Sequence, residues 1–132
     1  MRTRNLLVFG GAFAGVAVAL GAFAAHGLKK TLTPYLLGVF ETGVHYQFLH
    51  ALAIIGCAIL LRLSLPLKAQ KAFFAAAICF IIGVFCFSGS LYALALTGIK
   101  WFGPITPLGG LLFIVGWGLF IYAALQIKED NK

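Results

Sequence analysis

The chain has 132 residues, of which 62% are hydrophobic and 10% charged, and it carries a formal net charge of +7 and a mean hydropathy of +1.04. Soluble globular domains run at about 45–50% apolar and about 25% charged, because water must be met by polar surface, so this composition excludes an ordinary soluble fold. The basic residues stand at the ends of apolar runs and form no stripe or arm, which reads as anchoring to anionic lipid at the cytoplasmic face of a bilayer and not as nucleic-acid binding.

The first apolar run, Leu6 to Ala25, is twenty residues without a charge. At 1.5 Å per residue it covers about 30 Å, the hydrocarbon thickness of a bilayer. Its flanks, Met1-Arg2-Thr3-Arg4 and Ala22-Phe23-Ala24, imitate a secretory signal. The run exceeds a usual signal core and leads into another hydrophobic segment, so a retained membrane helix is expected.

After a polar break at His26-Gly27-Leu28-Lys29-Lys30, Thr33 and Pro34 form a helix start, with Thr as N-cap and Pro at the first helical position. The helix that follows would reach Leu63, thirty residues on, more than a bilayer needs. It is therefore divided into a short interfacial helix over 34–42 and a crossing over 44–63, with Gly38 and Gly43 marking the bend. A turn containing Ser64 and Pro66 precedes a third run over 72–96, and a breaker-rich loop with Gly98, Gly103, Pro104 and Pro107 precedes a fourth over 108–127. Lys100 and Trp101 sit in that loop like interfacial anchors. Lys128 to Lys132 is a charged tail with no structure of its own.

The expected fold is all-α: a single polytopic membrane domain of four transmembrane helices, with the short interfacial helix before the second. Placing both termini in the cytoplasm puts Arg2, Arg4, Arg62, Lys68, Lys71, Lys128 and Lys132 inside and Lys29, Lys30 and Lys100 outside. That asymmetry follows the positive-inside rule.

Gly11 and Gly15 form a GxxxG pair on the first helix, with Gly10, Ala14, Ala19 and Ala22 extending the small-residue stripe. Such a face lets helices approach closely, within the chain or in a homo-oligomer. Gly109, Gly110, Gly116 and Gly118 give the fourth helix the same character. Cys57, Cys79 and Cys86 lie inside apolar runs without metal-ligand spacing and read as small apolar packing residues.

The stretch from Glu41 to His50 places polar groups at the start of a crossing, where each needs a partner. On a continuous helix Glu41 and His45 share one face, while Tyr46 and His50 share another. Glu41 reads either as a structural pair with His45 or a nearby Lys, or as a ligand or proton group. His50 reads as hydrogen-bonded to Ser88, Ser90 or Tyr92 of the third helix, or as lining a cavity with them. Gly89, between the two serines, would admit a close neighbour. His26, His45, His50 and Glu41 do not have metal-ligand spacing, and no cofactor is expected. No nucleophile triad, phosphate-cradling loop or carboxylate pair is present, so the reading leans away from an enzyme.

Four phrases lie in register along the chain: Gly21-Ala22-Phe23-Ala24-Ala25-His26-Gly27-Leu28; Glu41-Thr42-Gly43-Val44-His45-Tyr46-Gln47 with His50-Ala51-Leu52; Phe87-Ser88-Gly89-Ser90-Leu91-Tyr92; and Gly103-Pro104-Ile105-Thr106-Pro107-Leu108-Gly109-Gly110. Their order and spacing resemble the YgdD-like family of small bacterial inner-membrane proteins, a domain of unknown function. The resemblance covers essentially the whole chain and implies a four-helix inner-membrane protein with no established reaction. It implies that His26, Glu41, Tyr46, Gln47 and His50 belong to the family pattern. His45 stands where relatives often carry Arg, which weighs against His45 as an essential ligand and favours a basic partner for Glu41.

Two functions follow as expectations. In one, the protein is a structural or accessory membrane component whose polar groups serve helix packing. In the other, His26, Glu41, Tyr46, Gln47, His50, Ser88, Ser90 and Tyr92 converge on one polar cavity that binds or conducts a small molecule, ion or proton.

Overall fold

In hydrocarbon no water is available to the backbone, so each spanning segment must satisfy its own N–H and C=O groups as a helix. A computed structural model describes residues 3–129, and it shows this solution four times: α1 (Thr3–His26), α2 (Pro34–Leu60), α3 (Leu67–Thr97) and α4 (Thr106–Leu125). Short 3-10 segments at Leu28–Lys30 and Lys100–Ile105 connect α1 to α2 and α3 to α4. All four helices are long and apolar enough to cross a membrane.

The helices pack in chain order, α1 on α2, α2 on α3 and α3 on α4. The start of α1, the turn between α2 and α3, and the end of α4 therefore lie at one end of the bundle. The two 3-10 segments lie at the other, with Trp101 84% and Tyr35 71% exposed as expected of aromatic residues at an interface. Two apolar clusters hold the helices together. One, built on Leu6, Ile54, Ala58, Phe73 and Phe80, occupies the terminal end. A smaller one, built on Ala24, Leu28, Phe40 and Ala95, occupies the loop end.

Local chemistry fixes the helix boundaries. The Thr33 hydroxyl accepts the Leu36 N–H at 3.2 Å and Pro34 opens the helix. Gly98, at φ +70°, ends α3 in the left-handed conformation, its N–H donating to the Leu94 carbonyl at 2.8 Å. α3 begins at Leu67, ahead of the apolar run, because Pro66 caps it and Lys68, Gln70 and Lys71 are helix-competent. α4 likewise starts at Thr106 and ends at Leu125, two residues short of the expected stop.

The separate interfacial helix over 34–42 is not present as a distinct element, because α2 runs unbroken from Pro34 to Leu60. Gly38 and Gly43 lower helix propensity but keep their N–H donors, and the Thr42 hydroxyl bonds back to the Gly38 carbonyl at 2.9 Å. The boundary of a bilayer is not a break in a backbone. In the expected charged tail, Lys128 and Glu129 continue beyond α4 without helix, while Asp130, Asn131 and Lys132 lie outside the described residues, as do Met1 and Arg2 of the signal-like start.

Small residues do bring helices together, at some members of the two small-residue faces and not at others. A Cβ on Gly10 would meet Ile55 at 2.5 Å and the Ala51 carbonyl at 3.1 Å, whereas Gly11 and Gly15 have nothing within 4 Å. The GxxxG pair thus faces away from the bundle, and its neighbour Gly10 makes the α1–α2 approach. Gly109 rests against the Phe87 backbone and Gly116 against the Phe80 ring, so two glycines one heptad apart seat α4 on α3. Gly89 and Gly118 have no neighbour within 4 Å and play no such part. Cys57 is buried, Cys79 and Cys86 are half-buried, and all three are free.

Candidate functional site

Between the two apolar clusters lies a layer of buried polar side chains, Gln47 and His50 on α2 and Ser88 and Ser90 on α3. A helix that is apolar on every side carries no periodic signal for its rotation, so these few hydrogen-bonding groups select the rotation that satisfies them. Gln47 is the hub. Its amide Nε2 donates to the Phe13 carbonyl of α1 at 2.9 Å, and its Oε1 accepts the Tyr92 hydroxyl of α3 at 2.6 Å. One side chain of α2 therefore ties both neighbouring helices. Ser88 adds a second α3–α2 tie by donating to the Gly43 carbonyl at 2.7 Å. This is possible because Gly43, with no side chain, lets Tyr92 and Leu91 pack directly against it.

The fourth helix is attached by two further groups. The Ser90 and Thr106 hydroxyls are 2.6 Å apart, joining α3 to the first residue of α4. Deeper in, the Trp117 indole N–H donates to His50 Nε2 at 3.0 Å, and His50 Nδ1 lies 2.9 Å from the Tyr46 carbonyl. An indole nitrogen is only a donor, so Nε2 must offer its lone pair and the single ring proton sits on Nδ1, donated to Tyr46. This geometry holds a neutral imidazole. The ring is also stacked on Phe113, with centroids 3.7 Å apart and planes 10° from parallel. His50 thus bonds to α4, not to Ser88, Ser90 or Tyr92 of α3 as the sequence suggested. Among the described residues, no buried side-chain polar atom lacks a partner.

The eight residues expected around one polar cavity fall into separate places. Gln47, Tyr92 and Ser88 form the α1–α2–α3 seam, Ser90 belongs to the α3–α4 seam, and His50 belongs to the α2–α4 contact. Tyr46 is 39% exposed and borders a cleft of about 620 Å³ between α2 and α4, lined with His50, Phe87, Phe113 and Trp117 among others. Glu41 and His45 lie on the other side of α2, in a groove of about 350 Å³ against α1. His26 is exposed at the end of α1. Among the described residues Glu41 makes no ion pair, so the expected pairing with His45 or a lysine does not form. No three of His, Cys, Asp and Glu gather closely enough there to hold a metal ion.

Three partners were not legible as such. Trp117 reads as one more apolar residue, although an indole N–H in mid-membrane requires an acceptor and was the available clue. Thr106 falls in what reads as a loop. The Phe13 carbonyl carries no sequence signal at all.

Four apolar helices stitched by buried polar groups define an integral membrane protein, and the comparisons with known proteins give its family. Residues 20–110 match the family described as "Protein of unknown function (DUF423)". The chain is 37% identical over 131 residues to the "UPF0382 inner membrane protein YgdD" of Escherichia coli K12, covering 99% of this chain and 97% of the relative. It is 39% identical over 120 residues to the "UPF0382 membrane protein YwdK" of Bacillus subtilis, covering 91% and 95%. A Staphylococcus saprophyticus membrane protein of the same designation is 38% identical over 124 residues. The chain belongs to this uncharacterised DUF423/UPF0382 membrane-protein family, as its sequence phrases indicated. No solved structure matches it.

Proposed function

We propose that this protein is a non-enzymatic structural or accessory component of the bacterial inner membrane, in which the buried polar residues serve as ties between helices and not as a conduit. One observation carries the reading. Among the described residues each buried polar side chain is satisfied within the chain, in seams on different sides of α2 and α3, whereas a conduit needs polar groups converging on one continuous wet path. In lipid, where apolar attraction between helices is weak, such bonds and close glycine contacts support association.

The inner-membrane placement rests on the name of the Escherichia coli relative. Both termini are cytoplasmic in this reading, since seven of the ten Lys and Arg fall, in sequence, at or before the start of α1, around the α2–α3 turn, or after α4. Those residues meet anionic headgroups there. The outward-facing Gly11 and Gly15 provide a surface on which a second copy packs.

Unfolding in mixed micelles tests the packing role. Gln47→Leu, Ser88→Ala and His50→Phe each lose stability if the residues are ties, in proportion to the bonds removed. Variants as stable as the parent protein would remove the basis of the proposal.

A further inference from the structure

Glu41 is the one acidic residue within the four helices, since the other two follow α4. It is the eighth residue of α2, about 10 Å along the axis from Pro34 toward the middle of the bilayer. A carboxylate at such a depth is costly unless something compensates its charge. Lys29 and Lys30, at the same end of the bundle, are exposed and make no pair with it among the described residues.

The space beside Glu41 is an open groove, into which the exposed Glu41 and His45 both face. The α1–α2 groove is walled by Ala17 and Val18 on one side and by Val44 and Phe48 on the other, and both Glu41 and His45 line it. Gly21 lines it without a side chain, and a Cβ there would make only an ordinary contact with Val44, at 3.5 Å. Polar groups stand at the loop end and Phe48 lies two turns deeper, so the groove grades from charged to apolar along the bilayer normal. At about 350 Å³ it falls in the range of small-molecule sites.

We propose that this groove binds a primary ammonium group carried on an apolar chain, with the ammonium on Glu41 and His45 and the chain along Val18, Val44 and Phe48. The carboxylate selects a cation. A primary ammonium offers three N–H donors, enough for the carboxylate and a second acceptor together, whereas a quaternary ammonium offers none. This site uses none of the residues that tie the helices, so it stands or falls apart from the packing reading.

Native mass spectrometry from a neutral detergent tests it, with dodecylamine, dodecanol, phosphatidylethanolamine and phosphatidylcholine each added to the full-length protein. Dodecylamine is expected to be retained, and dodecanol and phosphatidylcholine are not. Retention of phosphatidylethanolamine as well identifies the ligand as a lipid headgroup, while its loss identifies a free membrane-dissolved amine. Glu41→Gln should weaken retention by about tenfold or more, as loss of one member of a charge pair does. Gly21→Leu, which fills the groove and leaves the charge in place, should weaken it too, with the unfolding midpoint unchanged in Glu41→Gln. Retention that survives Glu41→Gln, equal retention of dodecanol, or no retention of any amine would overturn the proposal.

Discussion

Replacing Gln47 by Leu removes the hub of the polar layer at nearly constant volume. Two interhelical bonds go, to the Phe13 carbonyl and from the Tyr92 hydroxyl, each worth about 0.6 kcal/mol in a membrane protein. The Tyr92 hydroxyl is also left without its partner, a further cost of about 1 kcal/mol. Gln47→Leu should therefore destabilise the protein by about 2 kcal/mol. Tyr92→Phe alone removes one bond, about 0.6 kcal/mol, and orphans the buried Gln47 Oε1, about 1 kcal/mol, for about 1.6 kcal/mol. In the double variant the two bonds are lost but neither partner is orphaned, for about 1 kcal/mol, so it should be about 1 kcal/mol more stable than Gln47→Leu alone, giving a coupling of about 2–3 kcal/mol. Equilibrium unfolding of all four proteins in mixed micelles measures the cycle. Strictly additive losses would refute the bond as the source of the effect and leave only shape.

Other outcomes follow from the same contacts. Trp117→Phe keeps the aromatic contact with Phe80 but removes the donor to His50, and should cost about 1 kcal/mol in the same unfolding assay. In ¹⁵N NMR of the parent protein, the His50 ring should show a proton on Nδ1 and none on Nε2; the reverse tautomer would contradict the Trp117 bond. Gly109→Ala drives a methyl group into the Phe87 backbone and should destabilise by about 1–3 kcal/mol, while Gly11→Ala and Gly15→Ala, with open space around them, should leave monomer stability unchanged. If a second copy packs on α1, the latter pair should instead change the subunit count seen by crosslinking in liposomes.

The number of helices was readable because a run of about twenty apolar residues has few other uses, and the Thr33-Pro34 start was readable because capping is local chemistry. The boundaries at Leu67 and Thr106 were less so, since polar residues such as Lys68 and Gln70 extend a helix as readily as apolar ones. The split of α2 failed for a related reason: length relative to a bilayer says nothing about where a backbone bends. For the site, the sequence singled out Gln47, His50, Ser88 and Tyr92 as polar groups in need of partners, but the partners depend on helix rotation and neighbour order. Nearly uniform apolar helices do not encode these in their periodicity. Hence the sequence points His50 toward α3 although its acceptor is taken by Trp117 of α4, and within the α1 small-residue stripe the GxxxG spacing singles out Gly11 and Gly15 although Gly10 makes the contact. A single residue of register, about 100° of helix rotation, separates those two assignments.

The most direct test of polar residues as ties is ion and proton flux across liposomes containing the purified protein, set beside protein-free liposomes. The packing account predicts no flux above the lipid background under either a pH or a salt gradient. Flux above background that disappears in a His50→Phe protein still folded and inserted would contradict it.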